Sequence, residues 1–195
     1  MSITPKPISP TPSPAVAETN PSYFEIKKTT EKVIILKYLG KDPNVVIPAS
    51  IEGLPVAGVG ENAFCDCNIL VSVRIPETVT EIGNWAFSGC TSLTSISLPK
   101  DVSDIGDHAF YNCTALNFII LPLSVTTISD WVFRSCDNLK AIFCEAESLS
   151  FDWSYNWATN WNGRFVAPVY WQSEKPNTDG SHWHYVDGAP EIWKQ

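Results

Sequence analysis

The sequence predicts an α/β-type solenoid built from 23-residue coils, with a parallel strand face and a cap at each end. Three observations carry this. The stretch from Val59 to Cys144 aligns with itself in rows of 23: Phe64, Phe87, Phe110 and Phe133 share a column, as do Leu70, Leu93, Leu116 and Leu139, and Val73, Ile96, Ile119 and Ile142. A proline recurs at the same interval (Pro76, Pro99, Pro122), followed by the pairs Ile82-Gly83, Ile105-Gly106 and the weaker Ile128-Ser129. The period then fails on both sides, as it does where caps replace coils. A fixed repeat of roughly 20 to 29 residues with leucine-type spacing marks a stack whose single coil cannot bury its apolar face alone.

Residues 1–22 read as a Pro-rich disordered linker. Pro5, Pro7, Pro10, Pro12 and Pro14 oppose both helix and sheet and favour an extended spacer. From Tyr23 to Pro48 the pattern alternates with period two (Phe24, Ile26; Val33, Ile35), which predicts β-structure with turns at Thr29-Thr30 and Gly40-Lys41-Asp42. This is the N-terminal cap of a repeat domain spanning 23–147. Val45-Val46-Ile47-Pro48 matches Val73-Arg74-Ile75-Pro76, but Pro48 and Pro76 are 28 apart, so the first coil carries an insertion of five, best placed at Glu52-Gly53-Leu54-Pro55-Val56.

A regular coil reads as follows. In Leu93-Thr94-Ser95-Ile96-Ser97-Leu98-Pro99, Ile96 and Leu98 alternate inward as a short strand that proline ends. Val102 and Ile105 point inward on the return path, and Gly106 permits a tight turn. Ala109-Phe110 with Cys113 and Leu116, at spacings of three and four, predicts one to two turns of helix or 3₁₀. The phenylalanine column is expected to pack edge to face.

Cys67, Cys90, Cys113 and Cys136 occupy one column, and Cys144 takes a buried strand position. Equivalent Cα atoms on stacked coils fall within bridging distance, but their parallel Cβ vectors suit packing better. A reduced, buried ladder is expected, with no metal site, because thiolates on parallel coils do not converge into a tetrahedron. Cys65, in the variable column Cys65, Ser88, Tyr111, Arg134, is expected to be exposed.

The pattern of apolar strand, Pro, Val-Thr, Ile-Gly, Ala-Phe, Cys and Leu from Pro48 to about Glu145 resembles the BspA-like leucine-rich repeat of bacterial surface proteins, and Gly53-Leu54-Pro55-Val56 with Gly58-Val59-Gly60 resembles that family's opening coil. The last row departs from it, with Ser129 for Gly, Val132 for Ala and Glu145 for Pro. The resemblance implies an extracellular or cell-surface, adhesion-type protein without shared catalytic residues or cofactors.

Residues 148–195 read as a Trp-rich C-terminal cap. Trp153, Trp157 and Trp161 are four apart, as on one helical face; the rest breaks into turns and short strands such as Val169-Tyr170-Trp171. Asn160-Trp161-Asn162 and Ala167-Pro168-Val169-Tyr170-Trp171 also resemble the closing segment of BspA-like arrays. The aromatic residues serve either to cover the last coil or as a sugar-stacking platform, and covering is the favoured reading because a solenoid end must be covered.

Composition excludes several classes. The net charge is −8, with Lys and Arg scattered and no basic stripe, so no nucleic-acid partner is expected. No run of about 18 apolar residues exists, so no membrane insertion is expected. His182 and His184 lack a nearby carboxylate partner; Asp101, Asp104 and Asp107 vary between coils and read as a solvated face. Phosphate loops, nucleophile elbows and zinc-ligand spacings are missing, and no opposed carboxylate pair is in view for glycoside hydrolysis.

The leading functional expectation is a monomeric, non-enzymatic module that recognises a host or neighbouring-cell surface protein or glycan through its solenoid face. The alternative is a structural spacer in a longer surface protein. Strand alternation turns two columns outward: Ser72, Ser95, Phe118, Ala141 and Arg74, Ser97, Ile120, Phe143. Phe118, Ile120 and Phe143, with Arg74 nearby, are the candidate ligand contacts. The alternative occupant of this apolar patch is the chain's own Trp-rich tail, slightly preferred because Trp153 and Trp157 follow Phe143 closely in sequence.

Overall fold

A computed structural model describes residues 17–146, 153–154, 156–158, 167–173, 181–186 and 189–192. The linker expected at 1–22 lies outside the described residues up to residue 16. Its end does not: Thr19 N–H donates to Val46 O (2.9 Å) and Val46 N–H donates to Thr19 Oγ1 (3.0 Å), so the cap begins before residue 22. A 3₁₀ turn at Pro21–Tyr23 follows, with Asn20 as its N-cap.

β1 (Phe24–Lys28) and β2 (Val33–Tyr38) form an antiparallel hairpin, and β3 (Asn44–Val46) opens the strand face. β4 (Ser50–Ile51) and β5 (Leu54–Val59) then pair across Glu52-Gly53, at φ 52° and 78°. Two positive-φ residues suit a two-residue hairpin loop, and this hairpin is the insertion of the first coil. Thereafter each coil gives one strand to each of two sides: β6 (Ser72–Arg74) and β7 (Glu81–Ile82), β8 (Ser95–Ser97) and β9 (Asp104–Ile105), β10 (Phe118–Leu121) and β11 (Thr127–Ile128), then β12 (Ala141–Cys144). The C-terminal segment adds β13 (Val169–Gln172), β14 (His182–Val186) and β15 (Ala189–Ile192).

One side is a seven-stranded sheet running β1-β2-β5-β7-β9-β11, with β4 on β5. The other is the strand face, divided into β3-β6-β8 and β10-β12-β13-β14-β15. The parallel register sets Ser72 opposite Ser95, Asp104 opposite Thr127, and Phe118 opposite Ala141, which is the sequence period made spatial.

No α-helix appears among the described residues. The Ala-Phe segment is a turn whose N–H groups donate along the solenoid axis: Phe64 to Ala86 O, Phe87 to Ala109 O and Phe110 to Val132 O, at 2.7, 2.8 and 3.0 Å. Each turn holds two left-handed residues, such as His108 (φ 55°) and Asn112 (φ 57°), which a helix excludes. Gly106 answers a close approach rather than a positive φ: a Cβ there would lie 2.7 Å from Asn84 N.

The phenylalanine rings are parallel, not edge to face. Phe64–Phe87, Phe87–Phe110 and Phe110–Phe133 centroids are 5.0, 5.4 and 5.6 Å apart with interplanar angles of 17°, 2° and 5°. Translation between near-identical coils repeats the same rotamer, which keeps the rings parallel. Tyr38 stacks on Phe64 at the first end, and Trp157 meets Phe133 edge-on (6.2 Å, 77°) at the last. Trp153 bridges Ile128 in parallel fashion and its Nε1 donates to Val125 O (3.2 Å). These two tryptophans therefore continue the coil columns instead of forming a helical face; Trp161 lies outside the described residues.

The thiols are free. Cys90, Cys113 and Cys136 donate Sγ–H to Phe64 O, Phe87 O and Phe110 O at 3.1, 3.1 and 3.0 Å. Burial pushes all three up, Cys136 to about 12, and Cys144 likewise. Cys67, at the head of the column, is only half-buried, and Cys65 is half-buried rather than exposed.

Candidate binding face

The strand face is built by alternation. Val73, Ile96 and Ile119 point into the core, while Arg74, Ser95, Ser97 and Phe118 point out and are exposed; Ile120 is half-buried. Four of the outward side chains are small or polar on β6 and β8, and the apolar pair begins at β10. The division between the two sheets falls at that same place.

A groove of 620 Å³ runs across the division, lined by Asn44, Ser72, Arg74, Ser95, Ser97, Phe118, Ile120 and, from outside the columns, Glu77, Lys100, Glu145 and Tyr185. Its acidic groups are engaged. Glu77 Oε2 accepts the backbone N–H of Lys100 (3.1 Å). Glu145 accepts from Leu123 N–H (3.2 Å) and from Tyr185 OH (2.7 Å). Burial, then the Glu145 carboxylate, raises the Tyr185 hydroxyl well above its ordinary range, so it stays a donor. At one end, Ser72 Oγ and Asn44 Oδ1 lie 2.7 Å apart.

Arg74, Phe118 and Ile120, three of the four residues singled out in the sequence, line this groove. Phe143 does not. It is 6% exposed beneath the C-terminal strands, stacked on Tyr170 (5.5 Å, 26°) and tilted against Trp183 (5.2 Å, 56°). Trp183 is fully buried and donates Nε1–H to Cys144 O (2.9 Å). The tail is thus the occupant over Phe143, while Phe118 stays 44% exposed and touches Phe143 only edge-on (6.2 Å, 72°).

Glu145 and Tyr185 were missed in the sequence. Glu145 shows there only as a departure from the proline column, and Tyr185 lies in a segment without period. Elsewhere, Asp107 and Asp130 lie on the coil edge: Asp107 Oδ1 accepts Asp130 N–H (2.8 Å), and Asp130 accepts from Ser154 Oγ. His182 Nδ1 lies 3.0 Å from Ser181 Oγ. Among the described residues no three or more His, Cys, Asp or Glu side chains are placed to hold a metal ion, and no helix is long and apolar enough to cross a membrane.

Comparison with known proteins bears on this arrangement. Curated proteins give no significant match. Among solved structures, the chain is similar to the leucine-rich repeat protein TpLRR of T. pallidum, with 41% identity and a TM-score of 0.64 over 65% of this chain and 60% of that one. It thus spans about three-fifths of that relative. A leucine-rich repeat protein of Bacteroides capillosus matches at 28% identity and a TM-score of 0.59, over 66% of this chain and 98% of its own. A leucine-rich cell surface protein of Faecalibacterium prausnitzii shares the fold at 21% identity and a TM-score of 0.51, over 90% of this chain and 58% of its own. The family model of the BspA type leucine-rich repeat region matches residues 44–155 in six copies. With more than half its length covered by that match, and with the stacked coils it describes, the chain belongs to the BspA-type leucine-rich repeat family.

Proposed function

We propose that the chain is a non-enzymatic recognition module of a bacterial cell-surface or secreted protein, and that it reads a protein or glycan through the groove on its strand face. The observation that carries this is the groove itself: a concave surface in which Arg74, Ser95, Ser97 and Phe118 stay exposed although the tail buries the neighbouring Phe143. Extended faces of stacked repeats serve recognition, and a cleft of a few hundred Å³ with convergent polar groups is the usual form of a ligand site. Similarity to a cell surface protein of F. prausnitzii supports the surface placement.

The test is a binding array of glycans and extracellular-matrix proteins probed with the whole chain and with the double variant Arg74→Gln/Phe118→Ala. Recognition through this groove predicts at least one ligand retained by the parent and lost by the variant. An array silent for the parent supports the spacer role instead.

A further inference from the structure

We infer that the groove takes a carboxylate-bearing sugar, with the Arg74 guanidinium on the carboxylate and the Phe118 ring packed beside the pyranose. This rests on the recognition reading above and names its ligand class. The groove holds two carboxylates and two cations, and three of these four groups already have a polar partner. Glu77 and Glu145 accept the hydrogen bonds already described, and Lys100 Nζ lies 3.8 Å from Asp101. The exposed Arg74 guanidinium has neither a hydrogen bond nor an ion pair among the described residues. A planar guanidinium with five donors is the side chain best matched to a carboxylate, which it grips by two parallel bonds.

Its neighbours fit a sugar ring. Arg74 pairs in register with Ser97, and Ser72 with Ser95. The Ser95 and Ser97 hydroxyls make no hydrogen bond among the described residues, and both line the groove. Each can donate and accept, which suits ring hydroxyls. By the 23-residue period Phe118 belongs to the Ser72–Ser95 row, so it lies diagonally from Arg74, about 10 Å across the face at the usual strand spacing and two residues along it, which leaves room for a pyranose between them. Its edge contact with Phe143 fixes the ring while leaving it 44% exposed.

The experiment is a calorimetric and NMR titration of the whole chain with a tetrasaccharide of alternating glucuronic acid and N-acetylglucosamine, against neutral chitotetraose. The acidic saccharide is expected to bind about tenfold more tightly or better, the usual worth of a charged hydrogen-bonded contact, and to shift the amides of Ser95, Ser97 and Phe118. Arg74→Gln abolishes that preference, Arg74→Lys keeps part of it, and Phe118→Ala weakens both saccharides. Equal affinity for the two saccharides, or an acidic preference that survives Arg74→Gln, overturns the inference. If neither saccharide binds while a protein ligand from the array depends on Arg74, the sugar assignment falls and the recognition reading stands. If a ligand from the array depends on Phe118 but not on Arg74, the sugar assignment likewise falls alone, and if no ligand of any kind depends on either residue, both fall. Unfolding curves of the variants, which alter exposed side chains only, confirm that fold is not what was lost.

Discussion

Cys90, Cys113 and Cys136 act as hydrogen-bond donors in the core, each closing on a phenylalanine carbonyl that also accepts an N–H from its own coil. The thiol must stay protonated to do this, and burial supplies the bias. A thiol raised from its ordinary 9.0 ionises first in the unfolded chain, so its contribution is complete below pH 9 and is lost as pH climbs toward the folded value, about 12 for Cys136. Stability of the parent is therefore expected to fall more steeply than that of Cys136→Val between pH 9 and 12, by about 1.4 kcal/mol per pH unit. Parallel pH profiles in urea unfolding would exclude this role. Reagent titration gives the companion check: two thiols, Cys65 and Cys67, are expected to react in the folded chain and the other four only after denaturation. Phe87 carries the same logic for apolar packing. It is fully buried between rings 5.0 and 5.4 Å away, so Phe87→Ala should cost about 3–5 kcal/mol in equilibrium unfolding.

The residue scale also holds a column that the periodicity displays but does not explain. Asn62, Trp85, His108 and Trp131 recur every coil, all left-handed at φ 50–58°. Asn suits that region, whereas bulky residues there are strained. The aromatic members offset the strain by stacking: Trp85 lies 4.0 Å from His108 at 6°, and Arg134 sits 5.6 Å over Trp131. Burial pushes the His108 imidazole below its ordinary value, so the ring stacks in its neutral form near neutral pH.

Among elements, the C-terminal strands do the most to define the site. β13 joins β12 in parallel, β14 joins β13, and β15 turns back on β14. They close the last coil and take Phe143 out of the groove, and so set where the open surface ends. Trp183 is the anchor. Trp183→Ala is expected to uncover Phe143 and raise binding of a hydrophobic dye without melting the phenylalanine stack. An unchanged dye signal would show that β14 does not shield this patch. The coils were legible in the sequence because each repeats one environment: the inward Val73, Ile96, Ile119 and Ile142, the prolines, and Cys90, Cys113 and Cys136 stand where spacing places them. Turn conformation was not legible, because spacings of three and four serve a left-handed turn as well as a helix. Nor was ring orientation, which depends on how little one coil rotates against the next. Trp153 and Trp157 misled for a related reason: their separation matches a helix, yet one extends the Ile128 column and the other covers Phe133.

For the whole molecule, a solenoid offers two long sides, and the proposed recognition uses one of them. The outward columns were readable from alternation alone, including Arg74, Ile120 and Phe118. Their joining with Glu145 and Tyr185 was not, because it depends on a tail with no repeat to align. The seven-stranded side also has a groove, lined by Lys27, Leu36 and Glu81 among others, which makes it the proper control. The most direct test is to take a ligand found on the array and measure its dissociation constant for the parent, for Arg74→Gln/Phe118→Ala on the strand face, and for Lys27→Gln/Leu36→Ser on the opposite side. Recognition through the strand face predicts a loss of at least about tenfold for the first variant and parent-like affinity for the second. Binding that survives the strand-face variant and fails with the other would contradict it.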